Sequence, residues 1–399
     1  MHSTHAPGRA PGTFRSTARL ARGIALSATF VAVAGPPRSA SAQEASPRTG
    51  TSVPTRAETV PSRVVLFIAD GTGVSQWTVA LFEDSDSPLR RFPVGGLVDT
   101  RNVEDRITDS AASATAYATG VLTRNRYLGV DSEGARLATI LERAAERGLA
   151  TGLVATSTVT HATPAAFAAH ITDRNAHAEI ASQMAAAPIR VLLGGGRQWF
   201  DPVSRKDGAD ELGRLRRGKI WAGSAAELPA AAAAAAASGQ GLAGLFAADA
   251  MSRAADRSPT LGEMTAAALQ VLDADPEGFF LMVEASQVDW RSHDNEEWSV
   301  VADEMRDADG ALRVLLDYVE RHPGTLLVVT ADHETGGAAV VESPHDGWAL
   351  DWATGDHTAD MVPLLAAGHG AAPFGGVRRI DAVGRLLGEA LLPVAAAAD

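Results

Sequence analysis

The residues best suited to chemistry in this chain are one serine that opens a small-residue helix and a set of carboxylates and imidazoles that close apolar runs. Ser110 stands in Ile107-Thr108-Asp109-Ser110-Ala111-Ala112-Ser113-Ala114-Thr115-Ala116, where a polar turn meets a stretch built for a helix. A hydroxyl there faces free backbone N–H groups and the positive end of the helix dipole, a place that favours an anion such as phosphate. Position alone does not separate a nucleophile from a helix cap, a role that serine also fills.

The run 64–69 ends at Asp70-Gly71-Thr72-Gly73, and 151–155 leads to His161-Ala162-Thr163-Pro164. The run 279–283 ends at Glu284, with Asp289 and His293 just beyond, and 325–330 leads to Asp332-His333-Glu334. Taken singly, an Asp before Gly reads as a turn residue, and His161 as a loop histidine. Gly71-Thr72-Gly73 is not a full dinucleotide loop, because Gln76 stands where the third glycine belongs. Glu284 is harder to explain away. A carboxylate closing Phe-Phe-Leu-Met-Val must be paired, hydrogen-bonded or metal-bound. Asp289 and His293 are four residues apart, one turn if the segment is helical, and such a pair can chelate one ion. The adjacent Asp332 and His333 can serve one ion or two. A third imidazole could come from His345, His357 or His369; His357 is favoured because it precedes the apolar run 361–366. Nitrogen and oxygen ligands without thiolate suit Zn²⁺, and an all-oxygen set suits Mg²⁺. A serine at a helix N-terminus beside two metals is an arrangement for phosphoryl transfer.

The elements that must position these groups are short apolar runs alternating with helical stretches. The runs lie at 64–69, 151–155, 189–193, 279–283 and 325–330, and the helical stretches at 110–119, 135–147, 176–186, 260–273 and 297–321. Continuous apolar runs of this length suit strands buried on both faces of a parallel sheet. The alternation predicts an α/β fold with a doubly wound, mostly parallel central sheet and helices on both faces. The carboxyl ends of such strands form the binding crevice, and the polar residues above fall there. The stretch 201–256 breaks the pattern with a charged loop and the alanine run 230–237, read as a surface helix or spacer. There is no internal repeat and no second domain boundary.

At 399 residues with 46% hydrophobic composition, the chain can form one large domain or two small ones. No run of about 20 apolar residues is present, so no transmembrane span is expected. Arg15, Arg19 and Arg22 precede an apolar stretch at 23–35, and Ala40-Ser41-Ala42 offers a small-x-small cleavage site. The organisation expected is a signal peptide at 1–42, a flexible leader at 43–60 and a single catalytic domain at 61–399, exported to a periplasm or the exterior. Residues 1–42 hold five Arg and no acid, so their removal takes the net charge from −13 to −18. Such acidity argues against nucleic acid as a partner and would repel a phosphate substrate unless cations sit in the site. The absence of Cys leaves metal binding to His and carboxylates.

These segments resemble the alkaline phosphatases. The resemblance rests on Val64-Val65-Leu66-Phe67-Ile68-Ala69-Asp70-Gly71, Thr108-Asp109-Ser110-Ala111-Ala112, Leu193-Gly194-Gly195-Gly196-Arg197, Val283-Glu284, Asp289-Trp290 with His293, Val329-Thr330-Ala331-Asp332-His333-Glu334-Thr335-Gly336-Gly337 and Gly355-Asp356-His357-Thr358. They run in the family's order from about residue 63 to 370.

The resemblance implies hydrolysis of phosphate monoesters, releasing inorganic phosphate, with Ser110 as the nucleophile that becomes a phosphoserine. It implies two Zn²⁺ and one Mg²⁺. Asp289, His293 and His357 match a first zinc site, Asp70, Asp332 and His333 a second, and Asp70, Thr163 and Glu284 a magnesium site. Arg174 matches the arginine that grips phosphate, its fork fitting two phosphate oxygens. His161 and Trp290 depart from the best-known bacterial member, which carries Asp and Lys there, and resemble a subgroup with His and Trp. A histidine near the third site could draw zinc in place of magnesium, although Asp, Thr and Glu favour magnesium. Only 23 residues separate His333 from His357, too few for the larger subdomain that many members insert, so the oligomeric state, a homodimer included, stays open. Other readings are a phosphodiesterase or phosphonate hydrolase of the same superfamily, and a non-catalytic exported protein binding phosphate or metal.

Overall fold

The structure, a computed structural model, describes residues 62–344 and 347–391. The expected signal peptide and leader, and His345, lie outside the described residues. The strands are β1 (Arg63–Ala69), β2 (Val94–Asp99), β3 (Ala150–Thr158), β4 (Val191–Gly195), β5 (Lys219–Trp221), β6 (Gly241–Leu245), β7 (Phe279–Ala285), β8 (Thr325–Thr330), β9 (Glu334–Thr335), β10 (Ala339–Ser343), β11 (Gly347–Asp351), β12 (His357–Thr358), β13 (Val362–Gly368) and β14 (Gly376–Arg379). The helices are α1 (Val74–Glu83), α2 (Ser110–Thr119), α3 (Ile140–Glu146), α4 (Ala162–Ala165), α5 (His177–Ala186), α6 (Glu211–Arg216), α7 (Leu228–Ser238), α8 (Leu261–Leu272), α9 (Gln287–His293), α10 (Trp298–Arg321) and α11 (Ile380–Leu391).

Ten strands form one sheet in the order β14-β2-β13-β8-β1-β7-β3-β4-β6-β5. All pairs are parallel except those of β13, which runs antiparallel to both β2 and β8. The doubly wound, mostly parallel α/β reading therefore holds. The alternation within β1 shows how the layers form. Val64, Leu66 and Ile68 join a core with residues of α2, α3, α5 and α11, while Val65, Phe67 and Ala69 join a second core with residues of α1, α7, α8 and α10. Both faces of the strand are dry, which is why its sequence is a continuous apolar run rather than an alternating one.

The register sets the site. Ile68 of β1 pairs with Glu284 of β7 on one side and with Thr330 of β8 on the other. Asp70 and Asp332 therefore emerge just past the same carboxyl edge at which Glu284 stands, one residue before the end of β7.

The stretch 201–256 is more than a spacer. It contains α6, β5, α7 and β6, and it completes one edge of the sheet. The alanine run lies in α7, where Leu228, Ala231, Ala232 and Ala235 are buried, so this helix is packed along one face. The strand Gly-Leu-Ala-Gly-Leu of β6 lacks the β-branched residues that mark a strand in sequence.

Candidate active site

Ser110 is the first residue of α2, and Asp109 is its N-cap. Asp109 Oδ1 accepts the Ala112 amide at 3.0 Å. The capping role that serine might have filled thus belongs to its neighbour, and the Ser110 hydroxyl is free of it. That hydroxyl is buried and lies 3.3 Å from His333 Nε2. Asp109 also uses Oδ2, which accepts Arg174 Nη1 at 2.9 Å and the Arg126 amide at 2.9 Å. One carboxylate thereby caps the helix that Ser110 opens and holds the Arg174 guanidinium.

Asp289, His293 and His357 offer ligand atoms within 4.8 Å of one another, and so do Asp70, Asp332 and His333. The segment of Asp289 and His293 is helical, which meets the condition for their spacing to place them one turn apart, and His293 Nε2 lies 3.3 Å from Asp289 Oδ1. His293 Nδ1 donates to the Gly355 carbonyl at 2.7 Å and His357 Nδ1 to the Thr108 carbonyl at 2.9 Å. A carbonyl can only accept, so both protons sit on Nδ1 and both Nε2 atoms carry lone pairs. These two Nε2 atoms face each other at 3.1 Å. Two acceptors at that distance suit a cation that takes both, with the Nδ1 bonds orienting the rings.

The same logic fixes His333. Thr335 Oγ1 donates to Asp289 Oδ1 at 2.6 Å and is left to accept from His333 Nδ1 at 3.2 Å. His333 Nε2 is then a lone pair, 3.3 Å from Asp332 Oδ2 and 3.6 Å from Asp70 Oδ1. Asp332 Oδ1 accepts the amides of Gly71 and His333, which leaves Oδ2 without a hydrogen-bond donor. Both oxygens of Asp70 are buried and unbonded. Buried orphans of this kind are costly, and a divalent cation resolves all of them.

A third cluster joins Asp70, His161 and Glu284. Glu284 Oε2 accepts Ser157 Oγ at 3.1 Å, while Oε1, the Thr163 hydroxyl and His161 Nδ1 have no hydrogen-bond partner. Arg174 Nη2 lies 3.5 Å from His161 Nε2, and the Trp290 ring meets His161 edge-on at 5.9 Å. The donor sets of all three clusters are oxygen and nitrogen, which fit zinc or magnesium and contain no thiolate.

The electrostatics of the protein without metal agree. Burial raises Asp70 well above the usual carboxylate range, and the charges of Asp332, Asp289 and Glu284 raise it further. Burial pushes Glu284 up to about 7, with Asp332 adding to it, and also raises Asp332. Burial lowers His333 well below the ordinary imidazole value, with His357 adding to it. His161 is pushed down to about 3, by burial first and then by Arg174 and His177. The pocket thus gathers anions that repel and imidazoles that stay neutral, both of which ask for cations.

Of the residues singled out in the sequence, the structure gathers Ser110, Arg174, Asp70, Thr163, Glu284, Asp289, His293, Asp332, His333, His357, His161 and Trp290 at this edge. His369 lies elsewhere, its amide bonded to Thr325 at the opposite end of β8. Three contributors were not singled out. Thr335 ties two clusters together. Gly71, at φ +68°, leaves only 2.6 Å between the place of a Cβ and Asp289 Cα. Glu334 accepts the amides of Gly337 and Ala338 and shapes the loop after β9. The glycines around Thr335 were the available signal of a tight turn there.

The sequence model of the family described as alkaline phosphatase matches residues 62–350. Alkaline phosphatase 4 of Bacillus subtilis is 34% identical over 71% of this chain and 64% of its own length. Streptomycin-6-phosphate phosphatase of Streptomyces griseus is 32% identical over 87% of this chain and 92% of its own. The chain spans just under two thirds of the length of the first Bacillus subtilis relatives it matches, at 64% and 62%. Among solved structures, alkaline phosphatase from the Antarctic bacterium TAB5 superposes with a TM-score of 0.78 at 32% identity, covering 83% of this chain and 98% of that one. A substituted form of that enzyme, with Mg bound in its M3 site, gives a TM-score of 0.75 at 30% identity, covering 84% of this chain and 98% of that one.

Proposed function

We propose that this chain, which belongs to the alkaline phosphatase family, hydrolyses phosphate monoesters through a phosphoserine formed on Ser110. The observation that carries the reading is the Ser110 hydroxyl, buried, freed from capping by Asp109 and set 3.3 Å from His333 Nε2 in the cluster of Asp70, Asp332 and His333.

Two Zn²⁺ and one Mg²⁺ are the ions the donor sets favour; when bound they supply positive charge to phosphate and lower the pKa of hydroxyl and water. The first zinc falls to Asp289, His293 and His357, and the second to Asp70, Asp332 and His333. The third ion falls to Asp70, Thr163 and Glu284, with His161 at its border. Magnesium is favoured there by three oxygen donors.

The chain's own residues do the rest. Arg174 offers a planar fork to two phosphate oxygens while Asp109 keeps that fork in place. The Ala112 amide is taken by Asp109, but those of Ser110 and Ala111 have no acceptor within the helix and are left to the same anion. Ser110 Oγ loses its proton and attacks phosphorus in line. The Oγ–P bond forms as the P–O bond to the leaving group breaks, and the proton that Ser110 gave up ends, by way of solvent, on the leaving alkoxide. Water then adds to the phosphoserine, the Oγ–P bond breaks, and Ser110 regains its proton as inorganic phosphate leaves. Export, through the Arg-led apolar segment at 1–42, belongs to the same reading.

The test is release of inorganic phosphate from a monoester and from a diester, before and after chelation and after return of Zn²⁺ and Mg²⁺. The reading predicts metal-dependent turnover that is much faster on the monoester. Saturable phosphate binding without turnover would support a binding protein instead, and preference for the diester would support the phosphodiesterase.

A further inference from the structure

Arg126 has a left-handed backbone, with φ +74°. A glycine would adopt that conformation at no steric cost, whereas a long side chain is strained in it. The position is held from both sides. The Arg126 amide donates to Asp109 Oδ2 at 2.9 Å, and its carbonyl accepts the Arg174 amide at 3.1 Å. Neither bond uses the side chain. The guanidinium instead reaches Asp173 Oδ1 at 2.5 Å.

The result is two ion pairs, one behind the other. The inner pair, Asp109 with Arg174, has side chains 17% and 16% exposed. The outer pair, Asp173 with Arg126, has side chains 56% and 52% exposed. An exposed pair of this kind adds little to stability, so it does not repay the strain of placing an arginine there. Asp173 adjoins Arg174 in sequence, and Arg126 is bonded through its backbone to the group that holds Arg174. Arg126 is therefore tied through its backbone to both Asp109 and Arg174, and through its side chain to the residue that precedes Arg174, in a chain of net charge −13.

We infer that Arg126 forms an outer anion subsite, taking a second phosphate group on the leaving group of the substrate in place of Asp173. The inference rests on the monoesterase reading and names the substrate class: sugar or polyol bisphosphates over their monophosphates. The exchange costs little, because an exposed carboxylate is readily solvated, whereas a phosphate offers three oxygens to a guanidinium fork.

The experiment measures kcat and KM for fructose 1,6-bisphosphate and fructose 6-phosphate with the metal-loaded protein and with Arg126→Gly. The wild type should favour the bisphosphate through a lower KM. Arg126→Gly should lower the bisphosphate-to-monophosphate ratio of kcat/KM about tenfold, the worth of one charge-assisted pair. The fall should lie in KM, and the variant should unfold at no lower temperature, because glycine suits the backbone. An unchanged ratio, whether both substrates fall together or neither does, would overturn the subsite. A wild type that hydrolyses neither substrate would overturn the monoesterase reading itself.

Discussion

His293 and His357 turn their Nε2 atoms toward each other at 3.1 Å, each ring donating a hydrogen bond from Nδ1–H to a backbone carbonyl. The arrangement is repulsive without a cation and attractive with one. The same holds for the carboxylates behind it, and it makes metal binding a proton-linked event.

Asp70, Glu284 and Asp332 all have folded-state values above those of an unfolded chain. The metal-free folded protein therefore holds protons that the unfolded chain has released. Its stability from these groups is greatest below the unfolded carboxylate range and falls as pH rises through about 7, the value for Glu284. Metal displaces those protons, so uptake should release more of them at pH 6 than at pH 8.5. Calorimetry of Zn²⁺ and Mg²⁺ binding in buffers of different ionisation enthalpy measures this. Equal proton release at both values would show that the carboxylates are already ionised in the metal-free protein.

Asp109 carries two loads, the α2 cap and the Arg174 guanidinium. Asp109→Ala should cost about 1 kcal/mol of stability through the lost cap. It should also weaken inhibition by inorganic phosphate roughly three- to tenfold, because Arg174 loses its anchor. Thermal denaturation and phosphate inhibition constants read the two effects separately. Unchanged inhibition would show that Arg174 is positioned by other means.

Trp290 supplies an aromatic edge to His161 rather than a positive charge. Trp290→Lys should tighten phosphate inhibition about threefold or more, by adding a cation beside the bound anion. Product inhibition of the two proteins under identical salt decides the matter, and tighter inhibition in the wild type would count against the account.

The strand ends were legible in sequence because three of the apolar runs stop within two residues of a carboxylate, at Asp70, Glu284 and Asp332, and a parallel sheet sends those ends to one edge. The spacing of Asp289 and His293 was legible because a helix places them one turn apart. The sheet's far edge was not, because β6 is built from Gly, Leu and Ala and α7 from alanine, compositions that carry no periodicity. The antiparallel β13 and the edge strand β14 gave no signal of their partners either, since pairing is decided by tertiary packing. At the site, Asp109 beside Ser110 is legible as a cap or a positioning residue, and geometry adds that it is both at once, capping α2 and holding Arg174. The bridge made by Thr335 was hidden because its two partners lie on different segments, 46 residues away at Asp289 and two away at His333.

The central claim is that Ser110 attacks phosphorus. It is tested most directly by quenching the metal-loaded protein with acid during turnover of a monoester and locating bound phosphate by peptide mass spectrometry. The account predicts phosphate on Ser110, and none on a Ser110→Ala protein that still folds and binds metal but has lost most of its activity. Undiminished turnover by Ser110→Ala, or phosphate on another residue, would contradict it.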